Sequence, residues 1–194
     1  MDKFSYSIGL GIGQQLASMG ASDINVDDFA QAIRDVLEGR TPVISHTEAR
    51  DIANKRFQEL ADQASAQAKQ QGTTFLEENK KRANVVTLES GLQYEVMNEG
   101  TGRSPKLTDK VKCHYEGTFI DGSVFDSSIR AGKPAEFGVN QVIAGWTEAL
   151  QLMKEGSKWR LWIPYNLAYG EQGYGNAIPP YSTLVFEVEL LKVL

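Results

Sequence analysis

Two periodicities divide the chain near residue 84. Before it, apolar side chains return every three or four positions; after it, they return every second one. Ile8, Ile12, Leu16 and Met19 make one stripe from Ser5 to Met19, the spacing of an amphipathic helix. Val26, Phe29, Ile33, Val36 and Leu37 predict a second helix, with Asn25 as its N-cap, Asp27 and Asp28 in the first turn and Gly39 as its stop. Beyond Thr41-Pro42, Ser45 and Glu48 have the spacing of a capping box. They open a third helix expected to reach about Asn84, roughly 60 Å at 1.5 Å per residue. Its stripe of Ala49, Ala53, Phe57, Leu60, Ala64 and Ala68 is mostly alanine and buries little. Gly72, Thr73 and Thr74 mark a place where the helix could kink or break.

From Val85 onward the pattern is that of strands. Leu92, Tyr94 and Val96 alternate with Gln93, Glu95 and Met97, and Val111, Cys113 and Tyr115 with Lys112, His114 and Glu116. Trp159, Leu161 and Ile163 alternate with Lys158, Arg160 and Trp162, while Leu184, Phe186, Val188 and Leu190 share one face of a last strand. Asp121-Gly122 signals a hairpin turn. Trp146, Leu150 and Met153 mark one short helix after Gly145. Antiparallel strands and a single helix give an α+β half-barrel, a sheet wrapped over the helix. The expected organisation is therefore a helical domain over residues 1–84 and a sheet domain over residues 85–194.

The first helices cannot enclose a core by themselves, so their apolar faces need a cover. A second copy of the chain would supply it, making a symmetric dimer. Gly9, Gly11 and Gly13 fit that reading: each costs about 1 kcal/mol in a helix relative to alanine, a cost offset where another backbone must come close. A phosphate-binding glycine loop is the competing reading, but no strand precedes these glycines and their spacing is wrong for it.

Composition narrows the function. The 194 residues carry a net charge of −5, which opposes nucleic-acid binding because that needs a basic face. No apolar run is long enough to span a bilayer, so no membrane partner is expected. Cys113 is the sole cysteine and the histidines are His46 and His114, too few for a metal-ligand cluster. Cys113 reads as a small buried hydrophobe and His114 as a solvent-facing residue. The first twenty residues loosely mimic a secretory signal, but Asp2 offsets Lys3 and Ser5, Ser7, Gln14 and Gln15 dilute the apolar stretch. A helix and a cytoplasmic location are expected instead.

The chemistry concentrates in a few segments: VKCHYEG (Val111 to Gly117), FDSS (Phe125 to Ser128), NQVIAGW (Asn140 to Trp146), the run AYGEQGYGNAIPP (Ala168 to Pro180) and the strand STLVFEVELL. They gather aromatic side chains around a single carboxylate, Asp126, and suggest the walls of one apolar pocket. In order and spacing these segments resemble the FKBP-type peptidyl-prolyl cis-trans isomerases from about Val85 to Leu194. The N-terminal part, with SYSIGLGIGQQL and the long helix, is similar to the dimerisation region of two-domain bacterial members of the macrophage infectivity potentiator type.

The resemblance implies an FKBP-like fold, a prolyl-binding pocket, no cofactor and no metal. It places Tyr115, Phe125, Asp126, Val142, Ile143, Trp146, Tyr169, Ile178 and Phe186 in that pocket, with Tyr174 and Ala177 also on the substrate side. Trp146 would lie under the pyrrolidine ring, while the Ile143 N–H and the Tyr169 hydroxyl would donate to substrate carbonyls. The implied partners are Xaa-Pro segments of unfolded chains, the macrolide inhibitors of the family and a second copy of the chain. Ala131 stands where many members have an arginine paired with the pocket aspartate, and Arg130 is one place earlier. Ala135 replaces a phenylalanine of some members, and Tyr174 a histidine of others. Phe119, Phe137 and Trp159 read as plain core. The alternative function is a chaperone or proline-binding module that holds proline without turning it over.

Overall fold

The computed structural model describes residues 1–194. In chain order it contains helices α1 (Lys3–Ser18), α2 (Val26–Leu37) and α3 (His46–Asn79) and strands β1 (Val86–Thr87), β2 (Gln93–Asn98), β3 (Lys110–Phe119), β4 (Val124–Ser127) and β5 (Ala135–Gly138). Helix α4 (Ala144–Leu152), β6 (Lys158–Ile163) and β7 (Leu184–Val193) complete it. The chain packs as two compact units, Met1–Ala66 and Gln67–Leu194.

In the first unit the helix starts are set by the expected side chains. Asp2 caps α1 by accepting from the Ser5 N–H at 2.7 Å. Asn25 caps α2 by accepting from the N–H groups of Asp27 and Asp28. Ser45 accepts from the Glu48 N–H at 3.2 Å and so begins α3. The tertiary cover of these helices is sparse. No residue of α1 is buried, and Phe4, Tyr6, Ile8 and Leu10 are all exposed. A Cβ built on Gly9, Gly11 or Gly13 would meet nothing within 4 Å. No helix is long and apolar enough to cross a membrane.

The second unit is an open antiparallel sheet in the order β1-β2-β6-β7-β3-β4, with β5 also paired to β3. The two long strands, β3 and β7, run side by side from Val111 opposite Val193 to Phe119 opposite Leu184. β3 and β4 are joined by the Asp121-Gly122 turn, where Gly122 adopts a φ of 85° and the Phe119 N–H donates to the Ser123 carbonyl. Alternation works as the sequence predicts: Leu184, Phe186, Val188 and Leu190 of β7 are buried together with Val111, Cys113, Leu161 and Ile163. Against them α4 lays Trp146, Ala149 and Leu150. Gly145 permits that approach, since a Cβ there would stand 2.6 Å from Ile163 Cγ2.

The units divide at Ala66 and Gln67 rather than at residue 84, because the last part of α3 packs on the sheet. Gly72 is buried so close to Thr183 that a Cβ would run into its Oγ1 and come within 3.2 Å of its Cβ. The helix passes through Gly72 without a break and ends at Asn79. The glycine thus serves close packing and does not interrupt the helix. Asn79 Nδ2 donates to Gln93 Oε1 at 2.8 Å, and Gln93 Nε2 donates to the Leu76 carbonyl at 2.9 Å. The Arg82 guanidinium lies 5.1 Å from the ring centre of Trp162. These contacts explain why Gln93 and Trp162, on the outward face by alternation, are both buried.

Candidate active site

The cavity is assembled from β3 outward. Tyr115 shares the inward face of β3 with Val111 and Cys113, and two residues on that face reaches Gly117. Gly117 is opposite Asp126 on one side and Phe186 on the other. A Cβ at Gly117 would come within 2.6 Å of Phe125 Cζ and 2.8 Å of Phe186 Cε1, so its absence lets both rings converge. From the other side, the turn after β5 and the first residues of α4 bring Gln141, Val142, Ile143 and Trp146. Ile143 is the N-cap of α4 and gives the helix no side-chain cap, leaving the first N–H groups of that turn for other partners.

Trp146 is the floor. Its ring is 4% exposed and is met nearly edge-on by Tyr115 at 5.4 Å, Phe137 at 5.6 Å and Phe186 at 5.4 Å. This is the edge-to-face arrangement that aromatic quadrupoles favour. Phe125 stands perpendicular to Phe186 at 5.5 Å and continues the wall. The indole Nε1 is buried without a hydrogen-bond partner, a state that buried donors rarely occupy. The hollow above these rings measures about 520 Å³.

Its polar groups are few. The Tyr115 hydroxyl donates to Asp126 Oδ2 at 2.6 Å. Burial pushes the Tyr115 phenol well above its ordinary pKa, and the hydrogen bond to Asp126 and that carboxylate's charge add to the shift. Tyr169 is raised first by burial, then by Tyr174 and Asp126. Both phenols therefore stay protonated as donors at neutral pH. Arg130 pairs with Glu116 at 3.3 Å, leaving Tyr115 as the side-chain partner of Asp126. Cys113, in the core beside the site, is pushed up to about 12 by burial, and its thiol is held neutral.

Tyr115, Phe125, Asp126, Val142, Ile143, Trp146, Tyr169, Tyr174 and Phe186 all line this one cavity. Ala177 and Ile178 do not. Ile178 is 3% exposed within the core, and it exchanges backbone hydrogen bonds with Tyr174, fixing the loop that carries that residue. Ala177 is left exposed on the same loop. His114 is half-buried, not fully solvent-facing, with Nδ1 3.1 Å from Ser128 Oγ.

Phe137, expected in the core, is instead a wall of the cavity, and Gln141 joins it there. The signal for Phe137 was its place beside Ala135 on alternate residues of one short strand. Gly117 was legible as the point where the inward series of β3 runs out of side chains.

Residues 101–191 match the family described as FKBP-type peptidyl-prolyl cis-trans isomerase, and residues 1–96 match the domain amino terminal to it. The chain is 49% identical to the FKBP-type 22 kDa peptidyl-prolyl cis-trans isomerase of Escherichia coli, over 98% of this chain and 94% of that one. The chain belongs to that family. It is also 43% identical to the outer membrane protein MIP of Legionella longbeachae, covering 99% of this chain and 85% of the relative. Among solved structures, FkpA from Escherichia coli superposes with a TM-score of 0.79 at 33% identity, covering 98% of this chain and 95% of the other. The second unit is thus an FKBP-type catalytic domain, and the enzyme is a peptidyl-prolyl cis-trans isomerase.

Proposed function

We propose that the isomerase turns Xaa-Pro bonds by seating the proline ring on Trp146 and holding the flanking carbonyls with the Ile143 N–H and the Tyr169 hydroxyl. The observation carrying this reading is the aromatic floor, three rings set edge-on around Trp146 beneath an open hollow. Amide resonance keeps the peptide bond planar behind a barrier of about 18–20 kcal/mol. Unaided crossing at proline takes tens of seconds or more. The twisted transition state has lost that resonance and is less dipolar than either planar isomer. An apolar site therefore favours it over the planar forms, and each ~1.4 kcal/mol of preference gives tenfold in rate.

In this reading Tyr115 holds Asp126 at the rim, and Phe125 and Phe186 keep water from the ring. Macrolides of the kind that inhibit this family would compete for the same hollow. A protease-coupled assay on an Xaa-Pro peptide tests the assignment. Tyr169→Phe removes one donor and is expected to lower kcat/KM about tenfold, the worth of a well-placed hydrogen bond. Unchanged turnover would remove Tyr169 from the mechanism. A pure proline-binding module would leave the slow phase of the assay untouched.

The first unit serves dimerisation in this proposal. Its support is the uncovered apolar face of α1 and the open space beside Gly9, Gly11 and Gly13, which a second copy would fill. Two catalytic domains in one particle raise the effective concentration of sites around an unfolded client.

A further inference from the structure

The end of α3 reaches the loop that carries Tyr169. Lys69 places its ammonium 4.0 Å from the ring centre of Tyr181 and 5.8 Å from that of Tyr165. Those two rings stand edge to face at 5.2 Å. The Tyr181 N–H donates to the Gly170 carbonyl at 3.0 Å, and the Gly170 N–H donates to the Tyr165 carbonyl at 2.9 Å. The two tyrosines therefore bracket Gly170, the residue after Tyr169. Tyr181 is also the one non-glycine residue with positive φ, at 58°. A bulky residue seldom adopts that conformation, and it persists where the surroundings over-determine it. Two residues further on, Thr183 is pressed against Gly72.

We infer that Lys69 is a positioning residue for the isomerase. Its charge over the two rings, backed by the Gly72–Thr183 contact, holds Tyr181 in its unusual conformation and so fixes the Tyr169 hydroxyl at the cavity. An ammonium over tyrosine faces is attracted by their quadrupoles, more strongly where water is partly excluded. With the charge removed, Tyr181 is free to relax toward negative φ, which swings its N–H away from Gly170 and loosens the residue beside it. This inference rests on Tyr169 being a donor to substrate.

The test uses the full chain and the peptide assay. Lys69→Met keeps the stem without the charge and is expected to lower kcat about fivefold, the scale of a partly buried cation–π contact, with little change in KM. Lys69→Arg restores the rate, and Lys69→Gln repeats the loss should the methionine variant fold poorly. In a Tyr169→Phe background the Lys69→Met loss disappears, because the group being positioned is gone; a merely structural role would leave the loss in place. Full activity of Lys69→Met or Lys69→Gln, no rescue by Lys69→Arg, or an undiminished loss in the Tyr169→Phe background overturns the inference alone. Full activity of Tyr169→Phe removes the donor role, and the inference falls with it.

Discussion

The two units treat their apolar residues in opposite ways. In the second, β3, β6, β7 and α4 enclose Leu, Val, Ile and Trp side chains almost completely. In the first, a helix of comparable hydrophobic content, α1, buries none of its residues. Secondary structure is nonetheless well specified in the first unit, down to the caps supplied by Asp2, Asn25 and Ser45. What differs is whether the chain contains the surface that completes each face. A sheet carrying one helix closes its own core; three helices with an alanine-rich third stripe do not, and their apolar area is available for association.

The sharpest way to break that contrast is at the floor of the second unit. Trp146→Ala removes the ring that three others abut and should cost about 3–5 kcal/mol of stability. Denaturant unfolding should record that loss, and the peptide assay a fall in turnover. The opposite experiment targets the first unit. In the proposed dimer, Leu10→Glu should weaken self-association by ~2 kcal/mol or more, halving the mass seen by light scattering, while turnover of a short peptide stays at the parental rate. A dimer that survives this change would move the interface elsewhere.

The division at Gln67 can be sharpened with Gly72→Val, which forces a branched side chain against Thr183 and should cost about 1–3 kcal/mol. By the same reasoning a fragment starting at Val85 should unfold at lower denaturant than one starting at Gln67. The smallest effect is at alkaline pH. Tyr115 and Tyr169 are raised above the ordinary phenol value of 10.0, so the unfolded chain releases those protons first. Their stabilisation is whole below pH 10 and is lost as the pH climbs past it. Cys113 acts with the same sign between its ordinary 9.0 and about 12. Unfolding curves taken from pH 8 upward should fall less steeply in Tyr115→Phe than in the parent.

Alternation marks the inward faces of β3 and β7, because it is a local property of the chain; β4 and β5, which bring Phe125, Asp126 and Phe137 to the cavity, are four residues each and too short to show it. Tyr115 and Phe186 lie on inward strand faces and Trp146 in the first turn of the one short helix, so all three are legible in the sequence as lining one pocket. The errors came where distant segments decide burial. Gln93 and Trp162 lie outward by alternation yet meet the tail of α3 through Asn79 and the segment just past it through Arg82, which the helical period could not announce. Phe137 looked like core because a cavity wall and a core have the same composition. Ile178, which the resemblance places in the pocket, is buried in the core and exchanges backbone hydrogen bonds with Tyr174. Arg130, next to Ala131 in sequence, pairs with Glu116, a choice set by the geometry of the loop.

The sheet ends on one side at β1, two residues long, and on the other at β4 and β5, four residues each. An enzyme that handles extended, partly unfolded chains is surrounded by segments ready to add themselves to any free strand. Edges this short offer too few consecutive N–H and C=O groups for such a segment to zip onto. On the proposed reading, a client held in the hollow would meet few free strand groups on which an aggregate could nucleate.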